Sequence, residues 1–371
     1  MHADHMYLPS YSVGPDCYGE IPWATRRFGK KAVVIGGKTA LSKAKPALLA
    51  GIAGSDVAIT DFLWYGGDAT CENVQALLQQ PAVQAADMVF AVGGGRAIDT
   101  CKVVAAKLDK PLFTFPTIAS NCAPCTAIAV LYNADASFRE YFYLQAPAEH
   151  AFLNTRIIAE APASWLWAGI GDALSKGPEV EFAARTAKQL SHALALGIQC
   201  SAACPEPLLR HGVQAMRDNR AKRDSYELEQ VALDIIVSTG IVSNLTCSDA
   251  GYYNSSLAHA VYYGSTVIPR AERHLHGEIV SFGVLCLLTL DGQLEARNRY
   301  AAFNRQLGLP VCLSDLNLKL EDLPAIAHKA STVREWNCVA YPVTEERLIE
   351  AIRAADAYGR ALRKQGAAQP A

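Results

Sequence analysis

At 371 residues, with 51% hydrophobic and 19% charged side chains, the chain is long enough to bury two cores, and two domains are the expectation. A net charge of −2 and the lack of any Lys/Arg run argue against nucleic acid and anionic membrane as partners and for a small molecule. The start MHADHMYLPSYSVGPDC has no basic segment followed by an apolar one, and no later stretch reads as apolar for long enough to span a bilayer. A cytoplasmic protein is expected, its eleven cysteines reduced and mostly buried.

After an irregular start, Lys31 to Ile35 reads as a short buried strand, running into Gly36-Gly37 and then a helical pattern, KTALSKAKPALLAG. A second strand, roughly Asp56 to Phe62, leads through Gly66-Gly67 into a helix from about Thr70 to Gln79. Met88 to Val92 repeats the unit, with Gly93-Gly94-Gly95 as the turn and Arg96 to Leu108 as a helix that gathers Ala97, Cys101, Val104, Ala105 and Leu108 on one face. Pro111 to Phe115 adds a further strand. Such alternation predicts a Rossmann-like parallel α/β sheet. Beyond it, Ala127 to Tyr132 and Phe138 to Tyr143 flank the polar NADAS as a β-hairpin, and a short strand near Phe152 ends the sheet. From Pro162 nearly every segment has helical period, so the chain is expected to divide into an α/β domain over 1–160 and an all-α domain over 161–371. The tail QGAAQPA is expected to fray.

Four features carry chemistry. Gly93-Gly94-Gly95 lies between a strand and a helix start, where backbone N–H groups suit a pyrophosphate, although a triple glycine also serves as a plain tight turn. Cys122-Ala-Pro-Cys125 has redox-pair spacing, but it follows four βα units and leads into a hairpin, unlike a thioredoxin-type motif. Asp172 has Lys176 one turn on, the spacing of an i,i+4 ion pair. His259 and His276 occupy helix-compatible segments on either side of a proline-bearing turn, so two imidazoles can converge. With Asp172 they would make a carboxylate and two-imidazole set that leaves coordination positions open.

The motifs VGGGRAIDTCK, PTIASNCAPC, AGIGDALSK, LAHAVYYG and HGEIVSFG, in that order, resemble the metal-dependent, iron-containing alcohol dehydrogenases, and within them the glycerol dehydrogenase-like and hydroxycarboxylate dehydrogenase-like branch. The resemblance implies a dinucleotide-binding N-terminal domain, a helical metal-binding domain of the architecture shared with dehydroquinate synthase, and an active site in the cleft between them. It places Asp172, His259 and His276 on metal-ligand positions for one divalent Zn or Fe ion. Gly93, Gly94, Gly95, Arg96, Ala97, Thr117 and Ser120 fall on phosphate and nicotinamide-side contacts, and Thr126, Ile128 and Tyr132 on further cofactor contacts. It also implies a homo-oligomer that transfers hydride reversibly between a small secondary alcohol, either a polyol or a hydroxycarboxylate, and NAD or NADP.

Three departures from the pattern bear on specificity. Cys122 stands where glycerol dehydrogenases carry an aspartate associated with the polyol, and a thiol accepts hydrogen bonds poorly. Gly37, followed by Lys38, stands where NAD users carry an acid for the ribose 2′-OH, which leans the expectation toward NADP. Lys176 replaces a ligand histidine or small polar residue, as expected of a site that steers a carboxylate-bearing substrate. Rival readings are a dehydroquinate synthase-like enzyme, which calls for more phosphate-binding cations than Arg270 and Arg273, a non-haem iron oxygenase, and a regulatory protein that has lost its metal.

Overall fold

The β-branched and aromatic runs of the first 153 residues assemble a six-stranded sheet and a separate hairpin. The computed structural model describes residues 6–135, 137–248 and 251–367. Within the first 153 residues its strands are β1 (Tyr11–Val13), β2 (Lys31–Gly36), β3 (Ala58–Trp64), β4 (Met88–Gly93), β5 (Leu112–Pro116), the hairpin β6 (Ile128–Tyr132) and β7 (Phe138–Tyr143), and β8 (His150–Leu153). The main sheet runs β1-β8-β5-β4-β2-β3, every pairing parallel, while β6 and β7 pair antiparallel apart from it. Two expectations shift. The second strand runs to Trp64 rather than Phe62, and the supposedly irregular start supplies β1, which pairs with β8 and so places β8 inside the sheet. Three residues are too few to show a period, so β1 exists only through its partner.

Helices α1 (Lys38–Gly51), α2 (Cys71–Leu78) and α3 (Gly95–Lys107) follow β2, β3 and β4. Alternation sends Val33, Ile35, Val89 and Ala91 to one core with Val74, Ile98 and Val104. Ala32, Val34, Phe90, Phe113, Phe115 and Phe152 go to the other, with Tyr18 and Leu48. Both faces are covered, which is why these strands read as unbroken apolar runs. The hairpin is tied to α3 by a buried ion pair. Lys102 Nζ donates to Asp99 (3.1 Å), Thr126 Oγ1 (3.0 Å) and the Ile128 carbonyl (2.6 Å), and Asp99 accepts the Val130 N–H (3.1 Å).

The chain forms two compact units, one of residues up to Leu166 plus Arg217–Asn244, the other of Trp167–Met216 plus Leu245 onward. The helical return over 217–244 is secured to the first unit by Asn219, which donates to the carbonyls of Ile158, Ala159 and Ala161. That excursion lies outside any single boundary at 160. Against the sequence expectation, one run, Tyr226–Thr246, is long and apolar enough to cross a membrane. It is 67% buried inside the protein, as a core helix is, and a π turn interrupts it at Asp234–Ser238.

In the second unit, α4 (Ala163–Ala173) is followed by α5 (Lys176–Ala184), and later by α6 (Leu257–Ser265) and α7 (His276–Leu290). α7 is apolar on all sides and buried from Gly277 to Leu288, the mark of a central helix. The AGIGDALSK segment breaks at Leu174-Ser175, and the helix then continues through Gly177-Pro178. Pro178 sits in the first turn of α5, where its missing N–H has no helical partner to lose. Of the tail QGAAQPA, residues 368–371 lie outside the described residues, as does Ala136 of the NADAS turn.

Candidate functional site

Three helices of the second unit each present one donor to a common point. Asp172 is the next-to-last residue of α4, His259 lies in the first turn of α6, and His276 opens α7. Asp172 Oδ1 is 3.2 Å from His276 Nε2 and 3.5 Å from His259 Nε2, and one ligand atom from each residue falls within 4.8 Å of the others. Glycines beside each donor allow this convergence. A Cβ on Gly277 would lie 1.9 Å from the Ala168 carbonyl oxygen, and one on Gly171 2.4 Å from the Gly277 carbonyl oxygen, so α4 and α7 touch backbone to backbone next to Asp172 and His276. A Cβ on Gly283 would lie 2.4 Å from the Ala258 carbonyl oxygen, which brings α7 equally close to α6 next to His259. Two imidazoles and a carboxylate, partly exposed at 40% for His276, fit a divalent transition metal with open positions.

The surrounding charges favour a cation. Glu179 of α5 is wholly buried. Its Oε2 is 2.7 Å from His259 Nδ1, and its Oε1 accepts the backbone N–H of Ser256 (2.8 Å) and of His259 (3.0 Å). Burial works against charge at all three groups. Even so, the imidazoles hold the Asp172 carboxyl well below the ordinary carboxylate range, His259 and the two N–H groups hold Glu179 low, and Glu179 with Asp172 pushes His259 up to about 10. Tyr262 packs its ring edge-on against His276, with centroids 4.2 Å apart. His274, neighbour to His276 in sequence, stands apart from the cluster. It bonds Glu278 (2.8 Å) and Asn317 (2.8 Å) at the entry to α7.

Lys176 does not form the pair with Asp172 that its spacing suggests, since the helix break turns it away. Its ammonium is buried against Asn254, donating to Oδ1 at 2.7 Å and to the carbonyl at 3.3 Å, and among the described residues no ion pair joins it to Asp172. Glu179 is the principal residue that sequence reasoning missed. Seven residues separate it from Asp172, and nothing in its own neighbourhood reveals a partner eighty residues on.

In the first unit, Gly93 closes β4 with φ +146°, and Gly94 caps α3 without a side-chain hydrogen bond, which leaves the first N–H groups of the helix open. Thr117 N–H donates to the Gly93 carbonyl (3.2 Å), and a Cβ on Gly95 would lie 2.7 Å from Asn121 Nδ2, so the Thr117–Asn121 loop, which includes Ser120, runs alongside the glycines. Gly37 N–H donates to Val92 O (3.4 Å), and Gly37 likewise caps α1 without a side-chain bond. Lys38 lies over the Trp64 ring at 4.5 Å. Arg96 pairs with Asp68 (2.6 Å) and lies over the Tyr132 ring (4.8 Å), next to Ala97 in the same turn. Thr126 and Ile128 receive Lys102, so they anchor the hairpin. Cys122 begins a 3-10 turn in which Cys125 N–H donates to the Cys122 carbonyl (3.0 Å). Burial pushes the Cys125 thiol far up, and every cysteine is free.

Comparison with known proteins identifies the family. The family model for iron-containing alcohol dehydrogenase matches residues 9–153. A glycerol dehydrogenase of Thermotoga maritima is 34% identical over 80% of this chain and 81% of its own. Hydroxycarboxylate dehydrogenase A of Escherichia coli is 30% identical over 76% of this chain and 79% of its own. The crystal structure of a probable glycerol dehydrogenase from Sinorhizobium meliloti superposes with a TM-score of 0.83, at 26% identity, over 97% of this chain and 100% of that one. The chain therefore belongs to the iron-containing alcohol dehydrogenase family and is an oxidoreductase that acts on alcohols.

Proposed function

We propose that the protein moves hydride reversibly between a small secondary alcohol, a polyol or a hydroxycarboxylate, and C4 of a nicotinamide cofactor. The convergence of Asp172, His259 and His276 carries the reading. These residues hold one divalent ion, Zn or Fe, which when bound supplies Lewis acidity that eases loss of the alcohol proton. Asp172 and Glu179 offset the ion's charge, and the backbone contacts at Gly171, Gly277 and Gly283 fix the donors before the ion arrives. The nicotinamide dinucleotide supplies the hydride acceptor. Its pyrophosphate is taken by the open N–H groups at Gly93–Gly95, supported by the Thr117–Ser120 loop.

The cofactor preference leans to NADP. No side chain at Gly37 repels a 2′-phosphate, and the Lys38 ammonium, held over Trp64, stands at the start of α1 beside it. Cys122 leans the substrate away from glycerol, whereas Lys176, whose ammonium is taken by Asn254, gives no matching lean toward a carboxylate-bearing substrate. The deciding experiment is a metal-reconstituted screen in both directions, NADH against NADPH, with glycerol, dihydroxyacetone, aldehydes and 2-oxo acids. His276→Ala is expected to lose bound metal and turnover together; normal turnover in metal-free His276→Ala protein refutes the scheme. Lys38→Ala is expected to lose efficiency with NADPH and not with NADH. Equal or better efficiency of the native protein with NADH sinks the NADP preference alone.

A further inference from the structure

The geometry points to Glu179 as the residue that sets the tautomer and direction of His259 as a metal ligand, an inference that rests on the reading of Asp172, His259 and His276 as a metal centre. An ionised carboxylate only accepts hydrogen bonds, so the 2.7 Å contact from Glu179 Oε2 to His259 Nδ1 requires the proton on Nδ1. In the neutral ring that an ion would bind, the lone pair of Nε2 then faces toward Asp172, 3.5 Å away, where the ion is expected. The other oxygen, Oε1, takes the N–H groups of Ser256 and His259, the N-cap and third residue of α6. The Ser256 hydroxyl cannot cap α6 itself because it is turned to the Cys338 carbonyl. One side chain from α5 thus caps α6 and orients the ring that α6 carries. Glu179 is 0% exposed, and among the described residues no Lys or Arg pairs with it, so a service to His259 and α6 is the only compensation its charge receives.

The two duties separate by substitution. In Glu179→Gln the amide oxygen can still accept the α6 N–H groups, but its NH2 group then faces Nδ1 as a donor. That reverses the tautomer and puts a proton on Nε2, where the metal needs a lone pair. In Glu179→Ala both duties are lost. The test strips the holoenzyme of metal and titrates cobalt(II) back against a competing chelator, with the cobalt electronic spectrum and the melting temperature of the stripped protein read in parallel.

Glu179→Gln is expected to melt close to the native protein, to bind cobalt about 10- to 100-fold more weakly, and to show an altered cobalt spectrum. Glu179→Ala is expected to lose both melting temperature and affinity. Native cobalt affinity and spectrum in Glu179→Gln overturn the proposal. Should that variant fail to fold, nitrogen-15 histidine NMR of the native zinc-loaded protein decides: a protonated Nδ1 and metal-bound Nε2 on His259 support it, and the reverse pattern overturns it. Failure of the native protein to bind any metal instead removes the metal-centre reading beneath it, and with it this inference.

Discussion

Gly277→Ala tests the claim that the donors are positioned by helix backbones in contact. The added Cβ would stand 1.9 Å from the Ala168 carbonyl oxygen, 2.9 Å from its carbon and 2.8 Å from the Asp172 amide nitrogen, all backbone atoms that no rotamer change can move. Ordinary C···O contacts sit near 3.3 Å or beyond, so α4 and α7 must separate by roughly 1.4 Å at this crossing. Overpacking of this kind costs about 1–3 kcal/mol, and here it falls between the residues next to two ligands. The 3.2 Å spacing of Asp172 Oδ1 and His276 Nε2 opens by a similar amount, beyond the roughly 0.5 Å that a working site tolerates. Gly277→Ala should therefore melt several degrees lower, bind metal at least about tenfold more weakly, and lose on the order of 100-fold in turnover. Gly19→Ala is the control, because nothing lies within 4 Å of its added Cβ. The assays are thermal unfolding with and without metal, metal titration and steady-state kinetics. Native behaviour of Gly277→Ala in all three refutes the close-contact argument.

Asp234, buried in the π turn with Oδ2 unpartnered, has its carboxyl pushed by burial up to about 8, against which the Ser238 hydrogen bond works only weakly. A raised acid is neutral when folded and ionises first when unfolded. Its contribution is whole below the unfolded pKa near 3.8 and is lost as pH rises toward 8. Asp234→Asn should thus gain stability over the native protein between pH 5 and pH 8 in denaturant titrations, by at most about 5 kcal/mol at pH 8, and a gap that does not grow with pH contradicts the assignment. Lys102→Met strands Asp99 as a buried charge and should cost about 3–5 kcal/mol while raising KM for the nicotinamide cofactor; adding Asp99→Asn should recover part of the stability. Absence of any recovery in that double variant would separate the two residues energetically. Cys122→Asp should raise kcat/KM for glycerol relative to 2-hydroxy acids, and an unchanged ratio removes Cys122 from substrate selection.

The sheet was legible because a parallel sheet covered on both faces produces continuous apolar runs between glycine turns, and β2, β4 and β5 lie within a residue or two of their expected places. β1 was not, since its three residues mean nothing until they meet β8. The return of 217–244 to the sheet unit was equally hidden: Asn219 reaching Ile158, Ala159 and Ala161 is a contact between distant stretches, and local period carries no trace of it. At the site, His259, His276 and Asp172 could be picked out as residue types that metals draw on, and the structure brings the three together. The direction of Lys176 was not legible, because its spacing from Asp172 makes a pair only in one continuous helix, and across the break at Leu174-Ser175 its ammonium meets Asn254 instead. Glycines inside AGIGD and HGE carry no sign in the sequence of the close approach they allow. Their purpose shows only when the opposing backbone is in place.

The placement of the donors at helix ends explains which charge the site wants. His276 opens α7 and His259 sits in the first turn of α6, where the positive helix end disfavours an imidazolium by about 0.3–1 kcal/mol each. Asp172 lies at the negative end of α4, which likewise disfavours its carboxylate. Each donor alone is thus in the wrong place for its own charge. The two carboxylates, Glu179 buried and Asp172 partly so, outweigh this, since His259 is still pushed up to about 10, and among the described residues no Lys or Arg pairs with either Asp172 or Glu179. Two negative charges with no Lys or Arg paired to them among the described residues ask for two units of positive charge at the imidazole nitrogens. One divalent ion meets that demand while leaving both rings neutral, as the helix ends prefer; a monovalent ion would leave one carboxylate uncompensated. On the proposed reading, the helix geometry that brings the three donors together also sets the charge balance that a divalent cation would meet.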